Sequence, residues 1–139
     1  GQTRVPEMRK HGINVSFGHD CVMDPWYSMG SGDMLEVASM GLHVAQMMSR
    51  DEIRYAFECV TTHPARALGL QGYGIAPGCN ADFVLLQAAD TIEAIRLRAR
   101  RLAVVRRGKV IAQSDPAITR LSLEGRPETV DPAAYAPVK

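Results

Sequence analysis

Two side chains between Asn14 and Trp26 have types suited to chemistry on a small molecule. Asp20 offers a carboxylate that can hold a metal ion or a proton, and Trp26, six residues later, offers a flat face for a planar substrate. The chain has no other tryptophan. We interpret the pair as a candidate site, although an aspartate after a strand is often a helix cap or turn residue and a lone tryptophan is usually core.

The residues before Asp20 predict a strand that carries its carboxylate to the strand end. Apolar side chains at Ile13, Val15 and Phe17 alternate with small or polar ones, which is the period of two of a strand. If the row of small or polar side chains faces the interior of a barrel, Asp20 lies at the carboxyl end of the strand, where active sites are usually found. The loop that follows holds Pro25 and two glycines, and such loops often carry function.

Length and charge restrict the classes of protein. With 139 residues the chain can form one compact domain, but it is too short for a complete (β/α)8 barrel, which needs roughly 200 residues. Sixteen basic and fifteen acidic residues give a net charge of +1, so charge does not point to nucleic acid or an anionic membrane. We therefore expect a small-molecule partner.

Cysteine usage and apolar patterning indicate a cytoplasmic protein. Cys21, Cys59 and Cys79 are odd in number and form no CxxC pair, which argues against a disulfide framework and a zinc knuckle. No apolar run approaches about 18 residues, and the first residues lack the apolar core of an export signal. We expect neither a membrane span nor export.

The first half of the chain is predicted to be mainly helical. Helices are expected at Thr3–His11 with Thr3 as a cap, from Asp33 to about Met48, at Arg50–Cys59, and between Pro64 and Gly69. The second helix should be mostly buried, with its methionines filling the core. We interpret His43 as a solvent-edge histidine and His63 as a cap or turn residue rather than as metal ligands.

The predicted secondary structure changes from helices to mainly strands near Leu70–Gly72, where we place a subdomain boundary. Beyond it we predict a strand with a buried middle at Ala81–Leu86, a helix near Thr91–Ala99, two strands within Leu102–Ala112 that turn at Arg107-Gly108, and an edge strand at Ile118–Leu123. The last fourteen residues contain three prolines and should be extended or poorly ordered.

Seven basic residues cluster in a fourteen-residue window without an acid. They are Arg96, Arg98, Arg100, Arg101, Arg106, Arg107 and Lys109. A phosphate-binding patch would use such a cluster, but no aromatic residue is interleaved and the overall charge is near neutral. We favour a solvated face or a subunit contact over nucleic-acid binding.

Two tiers of motif resemble the C-terminal third of an amidohydrolase-superfamily enzyme. The run THPARALGL followed by GYGIAPGCNADFVLL is similar to the superfamily in general, whereas INVSFGHDCVMDPWY and MLEVASMGLHVAQMM are similar to its cytosine deaminase branch. The resemblance implies an α/β fold. Residues 1–70 would be the last strand and terminal helices of a metal-dependent hydrolase (β/α)8 barrel, and residues 71–139 part of a small β-sandwich subdomain with an extended tail.

The resemblance also implies roles for three residues. Asp20 matches the aspartate that binds one divalent metal ion, Fe²⁺ or Zn²⁺, and takes a proton from its bound water. Trp26 matches a residue of the pyrimidine pocket. Cys21 stands where that branch has a second acidic residue beside the ring, so we expect a 5-substituted cytosine, isocytosine or a related cyclic amidine to be a substrate as well as or instead of cytosine.

The remaining metal ligands of that family are missing from this sequence. No HxH pair occurs in it, and one carboxylate cannot hold a catalytic metal that needs about three protein ligands. We therefore expect a fragment of a longer deaminase that is inactive alone. The alternatives are an amidohydrolase acting on another cyclic amide or amidine, and a non-catalytic binding or oligomerisation module. Unpaired strand edges and the apolar second helix predict self-association, so a homo-oligomer is expected.

Overall fold

Five short helices and one three-stranded sheet form the regular structure of residues 3–129, which are the residues that the computed structural model describes. In chain order the elements are α1 (Val5–Lys10), α2 (Met34–Val44), α3 (Arg50–Cys59), α4 (Thr62–Ala67), β1 (Phe83–Leu86), α5 (Thr91–Arg96), β2 (Arg101–Arg106) and β3 (Lys109–Gln113). No helix within this range is long and apolar enough to cross a bilayer.

The core lies where α2, α3 and α5 meet. Each helix contributes a buried apolar row: Leu35, Ala38 and Leu42 from α2, Tyr55, Ala56 and Cys59 from α3, and Ile92, Ala94 and Ile95 from α5. Met47 is also completely buried. Because α5 follows the boundary that we predict near Leu70–Gly72, side chains from both sides of it share this core; the division into residues 1–70 and 71–139 stays a prediction.

Local signals set the starts of α2 and α3, the first at the predicted Asp33 and the second at a capping box that was not predicted. The Asp33 side chain accepts a hydrogen bond from the N–H of Leu35 at 2.7 Å. Ser49 and Glu52 form a reciprocal capping box, in which the Ser49 N–H donates to Glu52 at 2.9 Å. The bonds satisfy N–H groups that the first helical turn leaves without partners.

Two helix predictions need correction. Thr3 does not cap α1, because Arg4 is the N-cap residue and makes no side-chain capping bond. α2 ends at Val44 rather than near Met48, since Gln46 has a left-handed φ of +55° that no α-helix can continue. Gly12 follows the C-cap of α1 with a φ of +69°, a left-handed conformation that ends the helix.

The helix α2 is less buried than predicted. Met40 is 58% exposed and Val44 is 44% exposed, and Met48 beyond the helix is also exposed. Of the four methionines expected in the core, only Met47 is fully enclosed. The reason is that one side of α2 forms the wall of a cavity instead of packing on another element.

The sheet is an antiparallel meander in the order β1-β2-β3. Its β2–β3 hairpin turns at Arg107-Gly108 as predicted, where φ angles of +48° and +74° fit the left-handed turns that suit strand twist. The buried middle predicted for β1 is wrong: Val84 is 46% and Leu85 is 54% exposed, because no layer of residues 3–129 covers the strand.

The predicted edge strand at Ile118–Leu123 is also wrong. This stretch makes only an isolated bridge, Arg120 with Thr129, and the two prolines flanking it at 116 and 127 cannot donate ladder hydrogen bonds. Of the proline-containing tail for which we predict an extended or poorly ordered chain, residues 130–139 lie outside the described range.

The basic cluster is partly paired and otherwise solvated. Arg96 forms an ion pair with Glu93 at 2.6 Å, and Arg106 lies 4.0 Å from Asp82. Arg101 forms a bidentate hydrogen bond with the Asp33 carboxylate. The other four members are exposed. This arrangement agrees with the solvated-face interpretation.

Asp33 joins the two halves of the chain. One carboxylate caps α2 and accepts from both guanidinium nitrogens of Arg101 on β2. Burial by itself would raise the pKa of Asp33, but the hydrogen bonds and charge of Arg101 outweigh burial, and the pKa is lowered. The folded state therefore favours the ionised form.

We predict that Asp33→Ala lowers the free energy of unfolding by about 1 to 2 kcal/mol, because it removes a helix cap and an ion pair together. The difference from wild type should hold at neutral pH and shrink as pH falls below about 4, through the lowered folded-state pKa, since protonation removes the charge that Arg101 binds. Denaturant titrations over pH measure this. The exposed Asp115, for which residues 3–129 provide no side-chain hydrogen bond, supplies the control Asp115→Ala; equal losses in both variants would contradict the prediction.

Candidate functional site

A cavity of about 700 Å³ opens between α2 and the segment that ends at Asp20. Asp20, Cys21 and Trp26, the three predicted site residues, all line it. The opposite wall comes from α2, including Glu36, Met40 and Gly41. The structure thus brings a carboxylate, a thiol and an indole ring to one concave surface, which is the usual setting of a small-molecule site.

The segment leading to Asp20 is not the strand that the sequence predicts. Residues 13–19 have no regular secondary structure, since the strands within residues 3–129 all belong to the separate β1–β3 sheet. Its hydrogen bonds go to helices instead: the Phe17 N–H donates to the Cys59 carbonyl at 2.8 Å, and the Val15 carbonyl lies 2.9 Å from His63 Nδ1. Alternating residues predict an extended backbone but do not supply its pairing partner.

Phe17 fixes the distance between this segment and α2. A Cβ atom added at Gly41 would lie 2.6 Å from Cε2 of the Phe17 ring, a separation that real Cβ contacts essentially never show. The glycine therefore leaves the space that the ring occupies. Phe17 and Gly41 both lie on the cavity wall, so this contact sets part of the cavity's width.

A tight turn presents Trp26 to the cavity. The Asp24 carboxylate accepts from the N–H groups of Trp26 at 2.9 Å and Tyr27 at 3.0 Å, which is the pattern of an aspartate-stabilised turn. Trp26 is 87% exposed, so this tryptophan is not part of the core. Gly30 has a φ of +87°, and an added Cβ would meet the Cys21 carbonyl at 3.0 Å, so the loop closes on itself there.

Cys21 is shielded electrostatically from ionisation. Hydrogen bonding to the Asp24 carboxylate raises the pKa of the Cys21 thiol, and burial and the charge of Asp20 raise it further. The same hydrogen bond lowers the pKa of Asp24. The site therefore holds a neutral thiol beside two carboxylates rather than a thiolate nucleophile.

His63 lies in a place that the sequence did not indicate. It is the second residue of α4, with Pro64 third, and it is 8% exposed rather than a cap or turn residue. Its ring contacts Tyr55 edge-on at 5.2 Å. Burial also raises the pKa of the neighbouring Cys59 thiol to about 11.

His43 meets the sequence prediction. Its side chain is exposed on α2, and its Nδ1 lies 2.7 Å from the Ser39 carbonyl.

Two further polar residues on the cavity wall were not predicted as site residues. His19 has a buried Nε2 without a hydrogen-bond partner in residues 3–129, and Glu36 bonds to the Ser31 hydroxyl. The only sequence signal for Glu36 is that it is spaced three, four and three residues apart with Ser39, His43 and Gln46, which predicts one polar stripe along the helix.

Asp20, the predicted metal ligand, lines the cavity, but the described residues do not form a complete metal site. Within residues 3–129 no three His, Cys, Asp or Glu side chains are placed to hold an ion together. Hydrolytic metal sites need about three protein ligands. Other segments of a longer protein would have to supply the rest.

The fold and this cavity define a class of protein. A family model described as the Amidohydrolase family matches residues 1–112, and the chain belongs to this family.

Individual relatives cover this chain well but are much longer. It is 41% identical to the 5-methylcytosine deaminase of Klebsiella pneumoniae, solved with 5-fluorocytosine, with a TM-score of 0.81 over 86% of this chain and 29% of that one. It is 30% identical to N-isopropylammelide isopropyl amidohydrolase of Pseudomonas sp. (strain ADP) over 80% of this chain and 28% of the relative. It is 32% identical to pterin deaminase of Rhizobium rhizogenes (strain K84 / ATCC BAA-868) over 84% of this chain and 26% of the relative. The chain spans less than a third of each.

We predict that alkylation of Cys21 by iodoacetamide reaches half its maximal rate at a pH above the ordinary thiol value of about 8.5, because the hydrogen bond to Asp24 favours the protonated thiol. Asp24→Asn removes the charge but keeps an oxygen acceptor for the N–H groups of Trp26 and Tyr27, so the half-reaction pH of Cys21 should fall. Mass spectrometry of the alkylated peptides over pH measures this. Cys79 serves as the internal control, because its alkylation rate at each pH should be the same in wild type and in Asp24→Asn. An unchanged Cys21 profile in Asp24→Asn would refute the assignment.

Proposed function

We propose that this chain forms part of the active site of a metal-dependent aminopyrimidine deaminase that acts on a 5-substituted cytosine. The observation that carries the proposal is that Asp20, Cys21 and Trp26 line one cavity of about 700 Å³. The 41% identity to a 5-methylcytosine deaminase supports the substrate class. In the longer protein, residues 1–70 complete a (β/α)8 barrel and residues 71–139 join a small β-sandwich subdomain.

Each of the three side chains has a role in this proposal. Asp20 holds one divalent ion, Fe²⁺ or Zn²⁺, together with ligands from segments outside this chain. When bound, such an ion lowers the pKa of water from about 15.7 toward neutrality and so supplies hydroxide. The Asp20 carboxylate accepts a proton from water as the water oxygen bonds to the ring carbon that bears the amino group, and it passes that proton to the amino nitrogen, whose bond to carbon breaks to release ammonia. Trp26 supports the flat pyrimidine ring.

Cys21 is the residue that we assign to the ring substituent. An acidic side chain at this position would be charged and strongly hydrated, whereas the raised pKa keeps the Cys21 thiol neutral. A neutral sulfur tolerates a methyl group on the ring without leaving a charge desolvated. A pocket lined by the thiol therefore accepts a 5-substituted cytosine better than a pocket lined by a carboxylate would.

A second candidate function is hydrolysis of another cyclic amide or amidine. The N-isopropylammelide and pterin enzymes, at 30% and 32% identity, favour it because the family motifs do not select one ring. A third is a non-catalytic binding or oligomerisation module. We also propose a cytoplasmic homo-oligomer whose partner is a small molecule rather than nucleic acid or membrane. The exposed Val84 and Leu85 of β1, which lie outside the cavity, support association through an apolar surface.

Asp20→Asn in the longer protein should lower kcat for 5-methylcytosine by about 10² to 10⁴-fold, because the amide cannot take a proton and is a weaker ligand. Ammonia release measures the rate, and metal content is measured on the same sample. Asp115→Asn, which lies outside the cavity, is the matched control. Full activity of Asp20→Asn would reject the proposed role, and a wild type inactive on every aminopyrimidine but active on another cyclic amide would favour the second candidate.

Cys21→Asp should shift preference from 5-methylcytosine toward cytosine, since it restores a charged acceptor and fills the space of the substituent. We expect the ratio of kcat/KM values for the two substrates to change by about 10-fold or more, with Cys21→Ser as the control that keeps a small neutral group. An unchanged ratio would show that Cys21 does not face the 5-position.

A further inference from the structure

We propose that His63 is a positioning residue, which sets the location of Asp20 by holding the backbone of the segment that precedes it. His63 does not line the cavity, so it acts through Val15 rather than on the substrate. The inference rests on the proposed function for its catalytic consequence, whereas the geometry of the contact stands independently of it.

The hydrogen bond to Val15 is specific in direction. A carbonyl oxygen can only accept, so His63 Nδ1, 2.9 Å from the Val15 oxygen, must carry the hydrogen. Nε2 then points toward the Glu58 carboxylate, 3.6 Å away. Edge contact with Tyr55 and 8% exposure fix the ring between α3 and the segment.

His63 is the centre of a larger set of bonds that holds the segment within residues 3–129. Its own carbonyl accepts from the Asn14 amide at 3.0 Å, and Arg66 donates to the Asn14 side-chain oxygen at 3.3 Å. The Phe17 N–H completes the set by donating to the Cys59 carbonyl at 2.8 Å. The junction of α3 and α4 thus holds positions 14, 15 and 17, immediately before the carboxylate.

The short distance along the chain makes this hold effective at Asp20. Only Gly18 and His19 separate Phe17 from Asp20, and three residues of chain span at most about 10 Å. A shift of the backbone at Val15 that carries Phe17 with it therefore moves the carboxylate with little room for relaxation. Displacement of a reacting group by about 1 Å can cost about 10²-fold in rate.

Two substitutions separate the hydrogen bond from the side chain's volume. His63→Asn places an amide N–H at the branch position that Nδ1 occupies, so it keeps the bond to Val15 with less volume. His63→Leu is closer to the histidine in size but leaves the buried Val15 carbonyl without this donor. In the longer protein, we expect His63→Leu to lower kcat for 5-methylcytosine by about 10²-fold with KM little changed, and His63→Asn to keep most of the wild-type kcat.

The matched control is Ile92→Ala, which removes a buried side chain of α5 that makes none of these bonds and lowers stability by a cavity effect. Its kcat should be that of wild type at a temperature where it is folded. If Ile92→Ala and His63→Leu lose kcat in proportion to their loss of stability, or if His63→Asn is as impaired as His63→Leu, the positioning role is overturned. Should His63→Leu fail to fold, His63→Gln, whose amide lies one bond farther out, takes its place with the same expectation.

Crystal structures of the variants test the geometry without an assay. The Asp20 carboxylate should move by about 1 Å in His63→Leu and stay in place in His63→Asn. An unmoved Asp20 in His63→Leu would overturn the inference. A wild type without deaminase activity would instead reject the proposed function, and the displacement of Asp20 would still decide the role of His63.

Discussion

The structure depends on how an extended segment finds hydrogen-bond partners for its backbone N–H and C=O groups without a neighbouring strand. Residues 13–19 carry buried and half-buried side chains, yet no ladder partner exists for them within residues 3–129. Buried N–H and C=O groups that lack partners are costly, so the junction of α3 and α4 supplies them through Cys59 and His63. The core formed by α2, α3 and α5 holds that junction in place.

The same constraint explains why the candidate site is built from both ordered and exposed parts. The segment before Asp20 is fixed by helices, and Phe17 rests in the space that Gly41 leaves on α2. Beyond Asp20 the chain emerges into a turn that exposes Trp26 almost completely. A rigid support with an accessible loop on top is the arrangement in which functional residues are usually found.

Some features governed by neighbouring residues were predictable from the sequence, although the Thr3 cap and the end of α2 were predicted wrongly, and features governed by distant residues were not predictable. The caps at Asp33 and Ser49–Glu52 and the turn at Arg107-Gly108 follow from short-range rules, and the structure confirms the helices and hairpin that they delimit. The exposure of β1 depends on which layer covers a strand, and that information is absent from a local pattern.

The site shows the same division. The types and spacing of Asp20, Cys21 and Trp26 drew attention to one segment, and the structure places all three on one cavity, while their roles stay predictions. The wall formed by Glu36 and the buried position of His63 depend on how helices pack against that segment. A histidine before a proline has the signature of a turn, and only its tertiary environment makes it an internal donor.

The loop between Asp20 and Asp33 is tied at both ends, by the anchored segment on one side and by the bidentate contact of Asp33 with Arg101 on the other. Lengthening such a loop has a small entropic cost, about 0.6 kcal/mol for each doubling of its length. Insertions and deletions around Trp26 can therefore accumulate during evolution while the two anchors keep their places. Relatives that act on different rings could therefore differ in the sequence and length of the loop between Asp20 and Asp33 while they keep its two anchors and the helices that hold them.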